Sequence, residues 1–196
     1  MQFSLRALLI PTLLLALPLF LVSASTTDGT VSASSNNIAR FQNGSFGYIN
    51  FGATNGNFHI TDTVLSGYAW GDVVGWINLA PSGGGVSNNG EGTLSGYAWG
   101  EQAGWINFAP SNGRVSVNSS GDFSGYAWSE NYGWVVFNCL NDSTCSVSDH
   151  KVNTDWRPRS TRPACNNATD DDSNGSVDYP ADTGCTSADD TSEVTV

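Results

Sequence analysis

The sequence predicts an all-β fold: an antiparallel repeat array of about eleven short strands, three per repeat, layered and prism-like or solenoid-like, followed by a small loop-rich, disulfide-stapled tail. Three observations carry this expectation. Ser66-Gly67-Tyr68-Ala69-Trp70 with Gly75-Trp76-Ile77-Asn78 recurs as Ser95-Gly96-Tyr97-Ala98-Trp99 with Gly104-Trp105-Ile106-Asn107. It recurs again as Ser124-Gly125-Tyr126-Ala127-Trp128 with Gly133-Trp134-Val135-Val136, at a constant period of 29 residues. Turn clusters separate the copies, as at Pro81-Ser82-Gly83-Gly84-Gly85 and Pro110-Ser111-Asn112-Gly113. No window carries a helical period.

The chain divides by composition. Residues 1–24 read as a secretory signal: Arg6, an apolar run, then small residues at Val22-Ser23-Ala24 with cleavage after Ala24. The alternative is an uncleaved anchor, but the run contains Pro11 and Pro18 and is shorter than the roughly 20 residues of a membrane span. The expected location is therefore secreted or cell-surface, with no membrane contact after cleavage. Residues 25–37, rich in Ser, Thr and Asn, read as a flexible leader.

Residues 38–153 form the expected repeat domain. Gly47-Tyr48-Ile49-Asn50-Phe51 is a half-copy of the motif. In each full copy a first strand ends at Trp70, Trp99 or Trp128, and a second begins at Trp76, Trp105 or Trp134. A third strand follows at Val86 and at Val115-Ser116-Val117, matched earlier by Phe58-His59-Ile60. Alternation puts Tyr97 and Trp99 on one face and Leu94, Gly96 and Ala98 on the other. A hairpin at Gly100–Gly104 would set Trp99 opposite Trp105 and Ala98 opposite Ile106. Both faces look apolar enough for burial, which implies layers or a closed array.

Cys139 and Cys145 bracket a short turn and are expected to pair, as are Cys165 and Cys185 further on. Residues 154–164 carry Trp156, Arg157, Arg159 and Arg162 between prolines and read as an extended linker. Residues 165–196 form an acidic tail holding eight of the chain's 18 carboxylates and no Lys or Arg. With a net charge of −11, this distribution argues against nucleic acid and anionic membranes, and points to a divalent cation as counter-charge.

The tail's sharpest feature is Asp170-Asp171-Asp172-Ser173-Asn174-Gly175-Ser176-Val177-Asp178. Oxygen donors at alternate positions around a sixth-position Gly match the first half of an EF-hand-type calcium loop. Asp170, Asp172 and Asn174 would bind through side chains, Ser176 through its carbonyl, and Asp178 directly or through water. The twelfth position is Ala181 instead of Glu, with Asp182 next to it, so weak Ca²⁺ binding is expected. A solvated, disordered acidic tail is the alternative.

The GYAW…GWINF repeats resemble those of exported, largely uncharacterised bacterial surface proteins. The segment from Cys165 to Cys185, with Asp178-Tyr179-Pro180-Ala181-Asp182, resembles their Cys-flanked Asp-rich tails. Its Asp spacing is similar to dockerin and thrombospondin type 3 calcium loops. The resemblance spans Phe46 to Cys185 and implies surface export and a calcium-type tail.

Catalytic residue types are sparse. His59 and His150 lie in predicted strands away from any nucleophile motif. Asp72, Glu101 and Glu130 recur with the repeat and read as turn residues. The first functional expectation is thus a non-enzymatic exported surface or structural module with a calcium-binding tail. The second is a carbohydrate-binding or adhesive, lectin-like domain. In it Tyr68, Trp70, Trp76, Tyr97, Trp99, Trp105, Tyr126, Trp128 and Trp134 stack on sugar rings, with Asn78 and Asn107 as hydrogen-bonding partners. Partners would be cell-wall glycan or other surface proteins. Aromatics repeated identically are expected to be the repeating core, so their burial discriminates the two readings.

Overall fold

The computed structural model describes residues 27–194. The signal segment and its cut after Ala24 lie outside the described residues. The strands in chain order are β1 (Asp28–Gly29), β2 (Ile38–Phe41), β3 (Tyr48–Asn50), β4 (His59–Thr61), β5 (Val64–Ser66), β6 (Tyr68–Gly71) and β7 (Gly75–Asn78). They continue as β8 (Gly85–Asn88), β9 (Leu94–Gly100), β10 (Gly104–Asn107), β11 (Val115–Val117), β12 (Phe123–Ser129) and β13 (Gly133–Val136). Among the described residues the only helical turns are short 3₁₀ segments.

Four hairpins, β2–β3, β6–β7, β9–β10 and β12–β13, pair side by side. β3 joins β6, β7 joins β9, and β10 joins β12. β13 returns to β2 through Val135↔Phe41 and Val136↔Arg40, so eight antiparallel strands close into a barrel. Closure removes the free edges that an open sheet of this size would expose. The three full copies occupy equivalent hairpins in one register: Trp70↔Trp76, Trp99↔Trp105 and Trp128↔Trp134.

An eight-stranded barrel has room inside only for its own side chains. Ala69, Ala98 and Ala127 point inward with Ile77, Ile106 and Val135, and all are buried. The Trp of each Tyr-Ala-Trp step therefore faces out. The expectation that both hairpin faces are buried fails at this point: the sheet closes on its aliphatic face alone, and no second layer covers the aromatic one among the described residues. Phe51, Phe108, Phe123 and Phe137 are also buried, with ring centroids 5.4–5.8 Å apart around Phe137.

The repeated glycine is the joint of each unit. Gly67, Gly96 and Gly125 have φ of 79°, 87° and 90°. A Cβ there would sit 2.0, 2.1 and 1.8 Å from the carbonyl oxygens of Asn57, Gly85 and Arg114. These residues let the strand turn from the barrel wall into an extension of the same sheet, β1-β4-β5-β8, that runs on from the N-terminal half of β9.

Two segments are more ordered than composition suggested. The leader is not a flexible spacer, because Asp28–Gly29 pairs with β4 and Val31 and Asn37 bridge to Thr154 and Val152. Residues 154–164 are not an extended linker but a strap packed on β1 and on the β4–β5 and β8–β9 turns. Trp156 is completely buried, its indole N–H donates to Asp62 at 3.0 Å, and the Arg162 guanidinium lies 5.5 Å over its ring. Arg159 and Arg162 both pair with Asp62. Burial pushes the Asp62 carboxyl up, but hydrogen bonds from Arg162, Trp156 and Arg159 outweigh it and hold the group below the usual carboxylate range. Both expected disulfides, Cys139–Cys145 and Cys165–Cys185, are formed.

Candidate functional site: an aromatic wall and an acidic loop

Antiparallel partners share a face, so the register that places each Ala inside places each Trp pair outside. The second Trp of a hairpin sits edge-on between the first Trp and the Tyr. Trp105 lies 4.9 Å from Trp99 and 6.2 Å from Tyr97, and Trp76 and Trp134 repeat this geometry within 0.2 Å. These T-shaped pairs rigidify the rings without covering them. Trp70, Trp76, Trp99 and Trp128 remain 37–43% exposed, while Trp105 and Trp134 are half-buried. The repeated aromatics are therefore not the core, contrary to the sequence expectation.

The turn of one unit borders the rings of the next. Gly84 and Gly113 close Pro81 and Pro110 turns by N–H···O bonds of 3.1 and 3.0 Å. A Cβ on Gly84 would lie 2.7 Å from the Trp105 ring, and one on Gly113 would lie 3.1 Å from that of Trp134. Two equivalent open clefts of about 250 Å³ result. One is lined by Gly83, Tyr97, Trp105 and Glu130, the other by Asn112, Tyr126, Trp134 and Gln42. Glu130, read in the sequence as a turn residue, is a cleft wall. Its amide donates to the Trp105 carbonyl at 3.0 Å and its carboxylate accepts the Trp105 N–H at 3.1 Å. Gln42 takes the same place because its amide donates to the Trp134 carbonyl at 2.8 Å. The 29-residue offset between Glu101 and Glu130 was the available signal.

The motif asparagines serve the fold. The side-chain oxygens of Asn78, Asn107 and Asn138 accept the backbone N–H two residues on at 2.9–3.0 Å, closing the turn after each second strand. The Tyr126 hydroxyl donates to the Asn141 carbonyl at 2.6 Å, whereas those of Tyr68 and Tyr97 have no protein partner among the described residues. Burial, with the nearby Asp142 charge adding to it, pushes the Tyr126 phenol up.

In the tail, Asp170 and Asp172 hold the turn by accepting N–H bonds from Asn174 and Gly175 at 2.9–3.1 Å, and Gly175 has φ 91°, as a sixth-position loop glycine requires. The missing twelfth-position Glu has a substitute far along the chain. Glu193 is 1% exposed, and one carboxylate oxygen each of Asp170, Asp172 and Glu193 lies within 4.8 Å of the others. Glu193 also accepts the Asp171 and Asp178 amides. A hard oxygen-only set of three carboxylates suits Ca²⁺. Three other expected ligands, Asp178, Asp182 and Asn174, take part in the loop's hydrogen bonds. Asp178 accepts the amides of Asn167 and Ala168 at 3.0 and 2.8 Å. Asp182 accepts from Gly184 and from the Asn174 side chain. The Asn174 side-chain oxygen accepts the Ser176 amide. Glu193 was missed because it stands 23 residues beyond Asp170, outside any local loop pattern.

His59 Nδ1 lies 2.9 Å from Asp28, and Ser66 is its cross-strand neighbour, but no side-chain hydrogen bond engages Ser66 among the described residues. His150 is buried, with Nδ1 donating to the Ser148 carbonyl at 3.0 Å. The Ser148 hydroxyl also lies 3.5 Å from His150 Nδ1.

The fold and site together define a closed antiparallel barrel with an outward aromatic wall and an appended acidic loop. Compared with known proteins, the chain matches no family model, and no curated protein or solved structure matches it significantly.

Proposed function

We propose that this protein is a non-enzymatic, exported carbohydrate-binding module that stacks sugar rings on its repeated Tyr/Trp wall, with a calcium-organised tail. One observation carries the reading: six tryptophans at a fixed period face outward from the barrel, and four are more than a third exposed. A closed barrel needs no aromatic outer face for stability, and rigid exposed rings in clefts with polar walls suit flat, amphipathic ligands. The repetition favours a polymer with its own repeat, such as a cell-wall glycan. Export is supported by the N-terminal signal pattern and by the two disulfides, which persist in oxidising compartments. For the tail, the support is the Asp170, Asp172 and Glu193 triad around a loop with Gly175 at its turn.

The test is a pull-down of the full chain on insoluble cell-wall glycan, with calcium and with chelator. Retention of the native protein and loss on Trp99→Ala/Trp105→Ala supports the proposal. Retention equal in both proteins refutes the role of the wall. If no glycan retains the native chain, the purely structural reading takes its place.

A further inference from the structure

We infer that the cleft formed by Tyr97, Trp105 and Glu130 selects a free-amine sugar, so that the ligand class of the wall is a cationic, glucosamine-type oligosaccharide. This rests on the carbohydrate reading above and adds the charge of the ligand to it. The two clefts are an internal comparison, since they share the Tyr–Trp pair and the bordering turn but differ at one wall. That wall is a carboxylate in one and the neutral Gln42 in the other. At the β6–β7 hairpin the register matches, because Ile77 pairs with Gly100 as Ile106 pairs with Ser129, so Glu101 holds the chain position equivalent to Glu130.

The Glu130 carboxylate accepts the Trp105 backbone amide, in the same cleft that the Trp105 side chain lines. A carboxylate next to an aromatic face attracts an ammonium through both charge and ring quadrupole. An acidic or phosphorylated sugar meets the opposite field, because the chain carries −11 overall. The two Arg residues within 38–138 do not reverse this at the Glu130 cleft: Arg40 is tied to Asp142 at 2.9 Å, and Arg114 precedes β11, whose partner β12 carries the neutral cleft's Tyr126. The free Tyr97 hydroxyl offers a further polar contact. Neighbouring clefts lie two strands apart, about 10 Å around the wall, so one oligosaccharide can reach across both.

The test is calorimetric titration of the full chain with glucosamine oligomers and with their N-acetylated counterparts of equal length, at low salt and at about 0.5 M salt. The free-amine series should bind several-fold tighter at low salt, and the difference should shrink as salt rises. Glu130→Gln, which keeps an acceptor for the Trp105 amide, should lower free-amine affinity about three- to fivefold and shrink the difference between the two series. Gln42→Glu should raise free-amine affinity, an independent arm that does not depend on the first variant's behaviour. If the N-acetylated oligomers bind equally or more tightly and still depend on Trp105, the amine selectivity is overturned while stacking stands. If neither series binds, the carbohydrate reading falls with it.

Discussion

Trp99 and Phe137 are both large aromatic residues of the repeat, yet the barrel gives them opposite roles. Phe137 lies inside among Phe51, Phe108 and Phe123, so Phe137→Ala should cost about 3–5 kcal/mol. Trp99 keeps one edge-to-face partner and 40% exposure, so Trp99→Ala should cost no more than about 1.5 kcal/mol. Chemical denaturation of the two variants checks the order; a larger loss for Trp99 would put it in the core. Gly96→Ala should be worse than its size suggests, because it combines a left-handed backbone with a clash against the Gly85 carbonyl. Positive φ alone costs about 1–3 kcal/mol, and the same denaturation series reads the sum. The cross-strand register, Trp99 to Trp105 and Ala98 to Ile106, was legible from alternation and turn length. Which face pointed inward was not, since Tyr/Trp and Leu/Ala faces are both apolar. Closure decided it: the face with Ala69, Ala98 and Ala127 turned inward and the Tyr/Trp face outward.

At the scale of elements, the strap and the acidic loop show how a compositional reading misleads. Pro-flanked Arg residues look like a spacer, but Trp156 buries against β1 at Gly29 and Asp62 collects Trp156, Arg159 and Arg162. One buried Trp in a polar stretch was the only sign. Because the folded Asp62 carboxyl is held below its unfolded value of about 3.9, its contribution is present above that pH and is lost as pH falls through the folded value. Asp62→Asn should therefore lower the thermal midpoint at neutral pH, and the gap to the native protein should narrow below about pH 4. A constant gap across that window would remove the strap's charge from the account. The disulfide pairs were legible because each brackets its own turn-rich segment. In the acidic loop, the full chain should bind Ca²⁺ with Kd about 10⁻⁴–10⁻³ M, and Glu193→Gln should weaken it about tenfold or more. Titration calorimetry of both proteins decides this, and unchanged binding in the variant would exclude Glu193 as a ligand.

The centre of the molecule is an eight-stranded closed wall built from hairpins, with extra strands, a strap and the acidic loop attached, and its apolar residues divide between a filled interior and an outward aromatic surface. The repeat made the all-β class and the strand sequence legible. It could not reveal the return of β13 to β2, since that pairing joins residues nearly 100 apart in the chain and leaves no local mark. Nor could it reveal that neighbouring units build the two equivalent clefts between them. The most direct measurement of the central claim is collisional quenching of tryptophan fluorescence by acrylamide, with and without saturating glucosamine oligomer. The account predicts strong quenching of the free protein, because six of the seven tryptophans lie on the wall and Trp156 alone is fully buried, and marked protection when ligand is bound. Weak quenching of the free protein, or quenching that ligand leaves unchanged, would contradict it.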